Sequence, residues 1–422
     1  MAKILISPIG VGNLVNKTSE ERKYKPATYK IGDQPPYEST FMASVLYKHF
    51  QLDGIIFIGT VRSMWEEVYS FFCTENKVEK DDNYWLNLAI QIEELKYDSD
   101  VNSLDLTPIE KVLGERSKCI LIKYGLNEDE LWENFDRIFE IVALLQPGDE
   151  IYIDITHSFR SLSLFLFLTV TFLKDLVNEK QIKIAGVYYG MLDVTRELNY
   201  TPVVNLKPLF DMTSWIKGAY SLQSYGDGYL IAELLKSQNE SQLANQIEQL
   251  SQSLNINSVN DIKQKSSALK SSLETQIAKT PFKYIKNILA NFAIKFSRSS
   301  VKESEYQLTL SEWYFDNHRY STGYITLAES IITYLCEMNG KEIRCETSRG
   351  EMKDFLHRPE NRNSDLARLY FDVNPIRNSI AHALLETSRR NDRGSLSNAI
   401  KNAKSYHQIA RRIFSTGTLN QG

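Results

Sequence analysis

The chain has 422 residues, 24% of them charged, and a net charge of −4 at pH 7. That length suits two domains with a core each, and the charge excludes a generally basic nucleic-acid coat but not a local basic site. No apolar run approaches the ~20 residues of a membrane helix, the N-terminus lacks the long apolar stretch of a signal peptide, and Cys73, Cys119, Cys336 and Cys345 fall in no CxxC spacing. The expectation is a cytoplasmic chain with reduced thiols, no membrane contact and no metal.

Lys3 to Ser7 reads as a strand opening into Pro8-Ile9-Gly10-Val11-Gly12-Asn13. In open α/β sheets such a loop presents backbone N–H groups to a nucleotide, which makes Ser7, Gly10, Gly12 and Asn13 candidate ligand contacts. A helix over 39–50 leads to a second strand, 54–59, which ends at Gly59 and the turn Thr60-Val61-Arg62-Ser63. Small, hydroxyl and arginine side chains therefore stand at two strand C-termini; Arg62 reads equally well as a solvated surface residue. Residues 75–117 read as an insertion with a helix at 84–95. A strand over 118–123 and a helix over 128–145 follow, the helix stopped by Pro147-Gly148-Asp149.

The stretch 150–160 is a strand running into Thr156-His157-Ser158-Phe159-Arg160, followed by the apolar run 162–173. By alternation alone that run fits a strand. Its place between strands at 150–155 and 182–189 requires a crossover, so it is assigned as a helix. Being apolar nearly all round, it should be covered on two faces, by the sheet and by a second protomer. Ser158 would cap it, with Arg160 beside the free N–H groups. Asp154-x-Thr156-His157-Ser158 resembles the Asp-x-Thr-His-Gly motif of CRISPR-associated proteins with a CARF sensor domain, with Ser158 in place of the glycine. Asp154, inside an apolar strand, reads as structural, and His157 as either a ligand contact or a satisfied structural histidine. A segment over 201–206 closes the domain, and its nearby tyrosines suit either base stacking or the core.

From about residue 209 helical periodicity takes over. Helices are expected within 237–272 and over 281–296, 306–320 and 324–338. Glu329 is either a solvated residue or a partner of an active site, and 339–365 reads as a loop. Asn374-Pro375 reads as an N-cap with proline at the first helical position, so a helix should start there with Arg377 in its first turn. Asn378 and His382, four apart, share a face. An Arg, an Asn and a His at a helix start make a metal-free phosphate site. Arg377-Asn378-x-x-Ala381-His382 resembles the Arg-x4-6-His signature of HEPN ribonucleases. The basic stretch 389–412, with Arg389, Arg390, Arg393, Lys401, Lys404, Arg411 and Arg412, suits a single-stranded RNA track or a solvated helical face.

Taken together, the two motifs resemble the CARF–HEPN ribonucleases of type III CRISPR systems. The resemblance implies an α/β Rossmann-like CARF domain with a parallel-sheet core over 1–208 and an all-α HEPN domain over 209–422. It also implies a homodimer or higher oligomer activated by a cyclic oligoadenylate, with cyclic tetra-adenylate favoured. The substrate would be single-stranded RNA, cut without a metal or other cofactor at Arg377, Asn378 and His382. Two alternatives stay open: a ligand-controlled binder of nucleic acid or protein that does not cut, and a sensor that degrades its own ligand through Thr156, His157 or Ser7.

Overall fold

The computed structural model describes residues 1–14, 22–157, 160–176, 181–275, 277, 279–298, 301–383 and 395–421. Ser158, Arg389, Arg390 and Arg393 lie outside the described residues, as do the side chains of Asn13 and Arg160. The chain divides into two compact units, Met1–Thr213 and Ser214–Gly422.

The first unit opens with β1 (Lys3–Pro8), a short ribbon of β2 (Asn13–Leu14) and β3 (Arg22–Lys23), and a hairpin of β4 (Ala27–Ile31) and β5 (Tyr37–Ser39). There follow α1 (Met42–Phe50), β6 (Gly54–Gly59), α2 (Trp65–Asn76), α3 (Asp82–Glu94), α4 (Thr107–Leu113) and β7 (Lys118–Leu121). After α5 (Glu128–Phe139) and α6 (Ile141–Leu144) come β8 (Glu150–Asp154), α7 (Arg160–Leu176), β9 (Lys183–Gly190), α8 (Thr195–Leu198) and β10 (Thr201–Asn205). The sheet order is β5-β4-β10-β9-β8-β1-β6-β7. From β9 to β7 the strands are parallel, and β10 joins β9 antiparallel.

β6 is buried at every position and β1 at all but its first. That is the signature of parallel strands covered on both faces. One face carries Val45 and Leu46 of α1 and Trp65 and Val68 of α2. The other carries Ile138 of α5 and Leu162, Leu166, Val170 and Leu173 of α7. The run 162–173 is thus the crossover helix expected of it. Among the described residues its far face is left uncovered: Leu164 and Leu168 are 62% and 51% exposed. The chain leaves β1 for β6 and β7 on one side and returns to β8 and β9 on the other. Such a reversal opens a crevice at the strand C-termini, where open α/β sheets bind ligands.

The helix α9 (Lys207–Tyr225) leads into the second unit, which contains α10 (Tyr229–Ser237), α11 (Ser241–Asn255), α12 (Val259–Thr275) and α13 (Phe282–Phe296). Then come α14 (Glu303–Asp316), α15 (Tyr320–Met338), α16 (Glu346–His357), α17 (Asp365–Ala381) and α18 (Leu396–Thr416). The last five share one core that includes Tyr324, Leu356, Val373 and Ile413. The stretch expected as a loop at 339–365 contains α16, a mostly exposed helix burying only Met352 and Leu356. Among the described residues no helix is long and apolar enough to cross a membrane.

The expected helix start at Asn374 is corrected. α17 begins ten residues earlier, where the Ser364 hydroxyl accepts a hydrogen bond from the Ala367 N–H, and Pro375 lies inside the helix. Leu366, Leu369, Tyr370, Val373 and Ile376 repeat at helical spacing and are all buried. Burying them at ~1.5–3 kcal/mol each outweighs the ~3 kcal/mol of an interior proline. Arg377 and His382 therefore stand at the C-terminal end of the helix, with His382 as its C-cap. Cations are favoured there by the helix dipole, so the phosphate site at a helix start does not exist. Pro375→Ala should restore an N–H to the ladder and raise unfolding stability by about 1–2 kcal/mol, measured by denaturant or thermal unfolding. A loss of stability would instead indicate that the helix begins at the proline.

Candidate functional site

At the C-terminal ends of β1 and β8 the side chains are organised around a buried carboxylate. Asp154 has no exposed surface. Its Oδ2 accepts from the Ser7 hydroxyl at 2.8 Å and its Oδ1 from the Thr156 N–H at 2.8 Å. The Thr156 hydroxyl in turn accepts from the Gly190 N–H at 2.9 Å. β1, β8 and β9 are thereby laced together just beneath the crevice. Buried carboxylates have to be satisfied in this way.

The β1 loop is held similarly. Tyr24 accepts from the Gly10 N–H at 2.7 Å and donates to the Gly10 carbonyl at 2.9 Å. Gly12 has φ +68°, a conformation that favours glycine, and a Cβ there would have to displace the Met64 sulfur. Ser63 donates to the Ile9 carbonyl at 3.0 Å and accepts from the Thr60 N–H at 2.9 Å.

A cleft of about 500 Å³ opens over these loops, and Gly10, Gly12, Tyr24, Lys25, His157 and Arg196 are part of its lining. Of the residues singled out from sequence, Gly10, Gly12 and His157 face it. Ser7, Gly59, Thr60 and Ser63 are buried below, where they brace the loops. Thr156 is tied to Gly190, and Arg62 is half-buried outside the lining. The backbone donors expected to meet a ligand are partly spent: the Gly10, Thr60 and Thr156 N–H groups bond within the protein. The cationic groups at the cleft are instead Lys25 and Arg196, and among the described residues neither is ion-paired. Sequence reading passed over both, although the 191–200 connection leaves β9 on the same side as the other ligand loops.

His157 lies between two tyrosines, 4.6 Å from the Tyr24 ring centroid and with Nε2 3.4 Å from the Tyr29 hydroxyl, long for a hydrogen bond. Burial pushes the imidazole below its usual value, against a weaker upward pull from Asp154. Burial, with Asp154 as a lesser cause, pushes both tyrosine hydroxyls up, so they stay protonated; the Gly10 bond to Tyr24 opposes this only in part.

In the second unit, Arg377 reaches two partners: its Nη1 donates to Asn378 Oδ1 at 3.2 Å and its Nη2 lies 3.8 Å from Glu329 Oε1. Arg349 grips the other Glu329 oxygen and also donates to the Ile343 carbonyl at 2.9 Å and Thr333 Oγ1 at 3.1 Å. Glu329 is therefore a bridge between two arginines. His382 is exposed one turn beyond Asn378, with its N–H on the Asn378 carbonyl at 3.0 Å. The basic stretch is partly neutralised: Lys404 pairs with Asp316 at 2.9 Å and Arg411 with Glu312 at 2.6 Å. Among the described residues no cluster of His, Cys, Asp and Glu is gathered for a metal ion.

With this geometry in hand, residues 4–193 match the family described as CRISPR system endoribonuclease Csx1, CARF domain. Residues 211–303 match the second domain of CRISPR-associated protein MJ1674. Residues 4–193 are thus a CARF domain of the kind found in CRISPR-associated proteins. The chain is 36% identical over 413 residues to CRISPR-associated protein MJ1674 of Methanocaldococcus jannaschii, an alignment covering 93% of this chain and 63% of that relative's length. A solved structure, Enterococcus italicus Csm6 bound to cyclic hexa-2'-fluoro-hexa-dAMP, aligns over 97% of this chain and 94% of that one at 14% identity and a TM-score of 0.38.

The CARF cleft makes a pH prediction through His157. Its pKa is depressed on folding, so the unfolded chain binds the proton more readily, and stability is full above the unfolded value near 6.5 and declines as pH falls from there. Thermal unfolding between pH 7.5 and 5.5 should therefore lose more stability in the wild type than in His157→Gln. Equal losses would mean the imidazole is not buried.

Proposed function

We propose that this CARF protein is an endoribonuclease of type III CRISPR defence, switched on by a cyclic oligoadenylate bound at the crevice of residues 1–208. In this reading cleavage belongs to a HEPN-type domain, 209–422. The observation that carries it is the gathering of Arg377, Asn378 and His382 at one helix end, with Glu329 anchoring the arginine. RNA supplies its own nucleophile, the 2′-hydroxyl. The protein then needs a group that takes up and gives back a proton, which the His382 imidazole offers. It also needs a cation for the charge that builds on the phosphate, which Arg377 offers. Asn378 orients the arginine.

One chain supplies one such set. The uncovered Leu164 and Leu168 on α7 support a homodimer in which two sets and two clefts meet across a two-fold. Lys25 and Arg196 at the cleft mouth supply the charge that a ring of phosphodiesters requires, and Tyr24 an aromatic face for a base. Cyclic tetra-adenylate is the favoured activator, and the compartment is the cytoplasm.

The test is cleavage of labelled single-stranded RNA with each cyclic oligoadenylate. His382→Ala should lower activated cleavage on the order of a thousandfold while ligand binding persists; near-normal cleavage by the folded variant would defeat the assignment. EDTA should leave the rate unchanged, and products should end in a 2′,3′-cyclic phosphate. Arg196→Ala should raise the activator concentration for half-maximal cleavage about tenfold and leave the saturated rate unaltered. An unshifted activation curve would place the activator elsewhere.

A further inference from the structure

Beside the arginine cluster of the second unit lies a cleft of about 620 Å³ that the proposed cleavage chemistry does not use. Its walls come from the α11–α12 connection, α14, α15, α16 and the stretch before α16. Glu329 and Arg349 belong both to this lining and to the ion-paired group that holds Arg377. The cleft is thus a single carboxylate away from the residue assigned to the phosphate.

The lining chemistry suits one nucleotide. Ile256 is 76% exposed at the cleft, where no described residue covers it. With Ile325 it offers a flat apolar surface to a base. Arg344 donates to Asn260 Oδ1 at 3.1 Å and, among the described residues, has no carboxylate partner. It is therefore available to a phosphodiester. Thr326 is committed, bonded to Asn257 and to the Thr322 carbonyl. Gln307 is not: its Oε1 is shielded from water and has no hydrogen-bond partner. A native buried acceptor left empty calls for an explanation, and a donor brought by a ligand is one.

We infer that this cleft holds a nucleotide of the substrate RNA strand next to the cut phosphate. Arg344 takes its phosphate, the isoleucines its base face, and the Gln307 amide, which carries both donor and acceptor, the edge of the base. A side chain of both kinds can serve any of the four bases, so the cleft holds a nucleotide without selecting one at a position flanking the cut. The inference rests on the ribonuclease reading for the identity of the strand, but the cleft can be assayed without cleavage.

The experiment uses the full chain carrying His382→Ala, so that RNA stays intact, and measures fluorescence anisotropy with labelled oligo(A), oligo(C) and oligo(U). Arg344→Ala on that background should weaken all three about tenfold. Gln307→Leu should weaken all three by about threefold. Free AMP and CMP serve as competitors to show whether one nucleotide suffices. Arg344 lies on the surface, so its variant keeps the comparison valid if Gln307→Leu fails to fold. Unchanged affinities in the folded variants, or no RNA binding by the parent, would overturn the cleft. Wild-type cleavage is scored separately. Cleavage with cleft variants that bind normally would sink the cleft and leave the ribonuclease reading; cleft-dependent binding without any cleavage would do the reverse.

Discussion

The carboxylate of Asp154 sits at the buried end of β8 with no exposed surface, and that constraint shapes the C-terminal edge of the sheet. A buried ionised group must be met by donors or it costs several kcal/mol. The donors come from the Ser7 hydroxyl on β1 and the Thr156 N–H after β8, and the Thr156 hydroxyl passes the linkage on to β9. Strands that the chain reaches at residues 3, 150 and 183 are locked at their C-terminal ends, at the place where strand order reverses. The Asp-x-Thr-His pattern is thus first a structural device. It fixes the floor of the CARF cleft and leaves His157, Lys25 and Arg196 to face what binds there.

A comparable constraint governs the helical unit. The apolar stripe of α17 runs unbroken through Pro375, so packing overrides the local preference against proline and sets Arg377 at the helix C-terminus. There the arginine is held by a neighbouring amide and a shared carboxylate rather than by a helix start. Glu329 is about two-fifths exposed, so its pairs contribute positioning more than stability. The same carboxylate joins this group to the cleft beneath Arg344.

Strands β1, β6 and β8 were legible because parallel strands buried on both faces leave continuous runs such as Gly54–Gly59. The helix α7 was legible only through topology, since its alternating residues also fit a strand. The hairpin β4–β5 was not, because strands of five and three residues carry little periodic signal. α16 was missed for its polar face. The start of α17 was misread because Asn374-Pro375 imitates a cap, while the working cap, Ser364, precedes an acidic residue and an apolar repeat that deserved more weight. Asp154 was legible as structural. Lys25 and Arg196, 171 positions apart, meet only once the sheet is assembled, and no local pattern announces either.

The central claim is that the crevice above Asp154 is the seat of a ring-shaped activator shared by two chains. Isothermal titration of cyclic tetra-adenylate into the full-length protein tests it most directly. The account predicts one ring bound per two chains, with binding lost or weakened at least tenfold in His157→Ala. One ring per chain, or binding indifferent to His157→Ala in a folded protein, would contradict it.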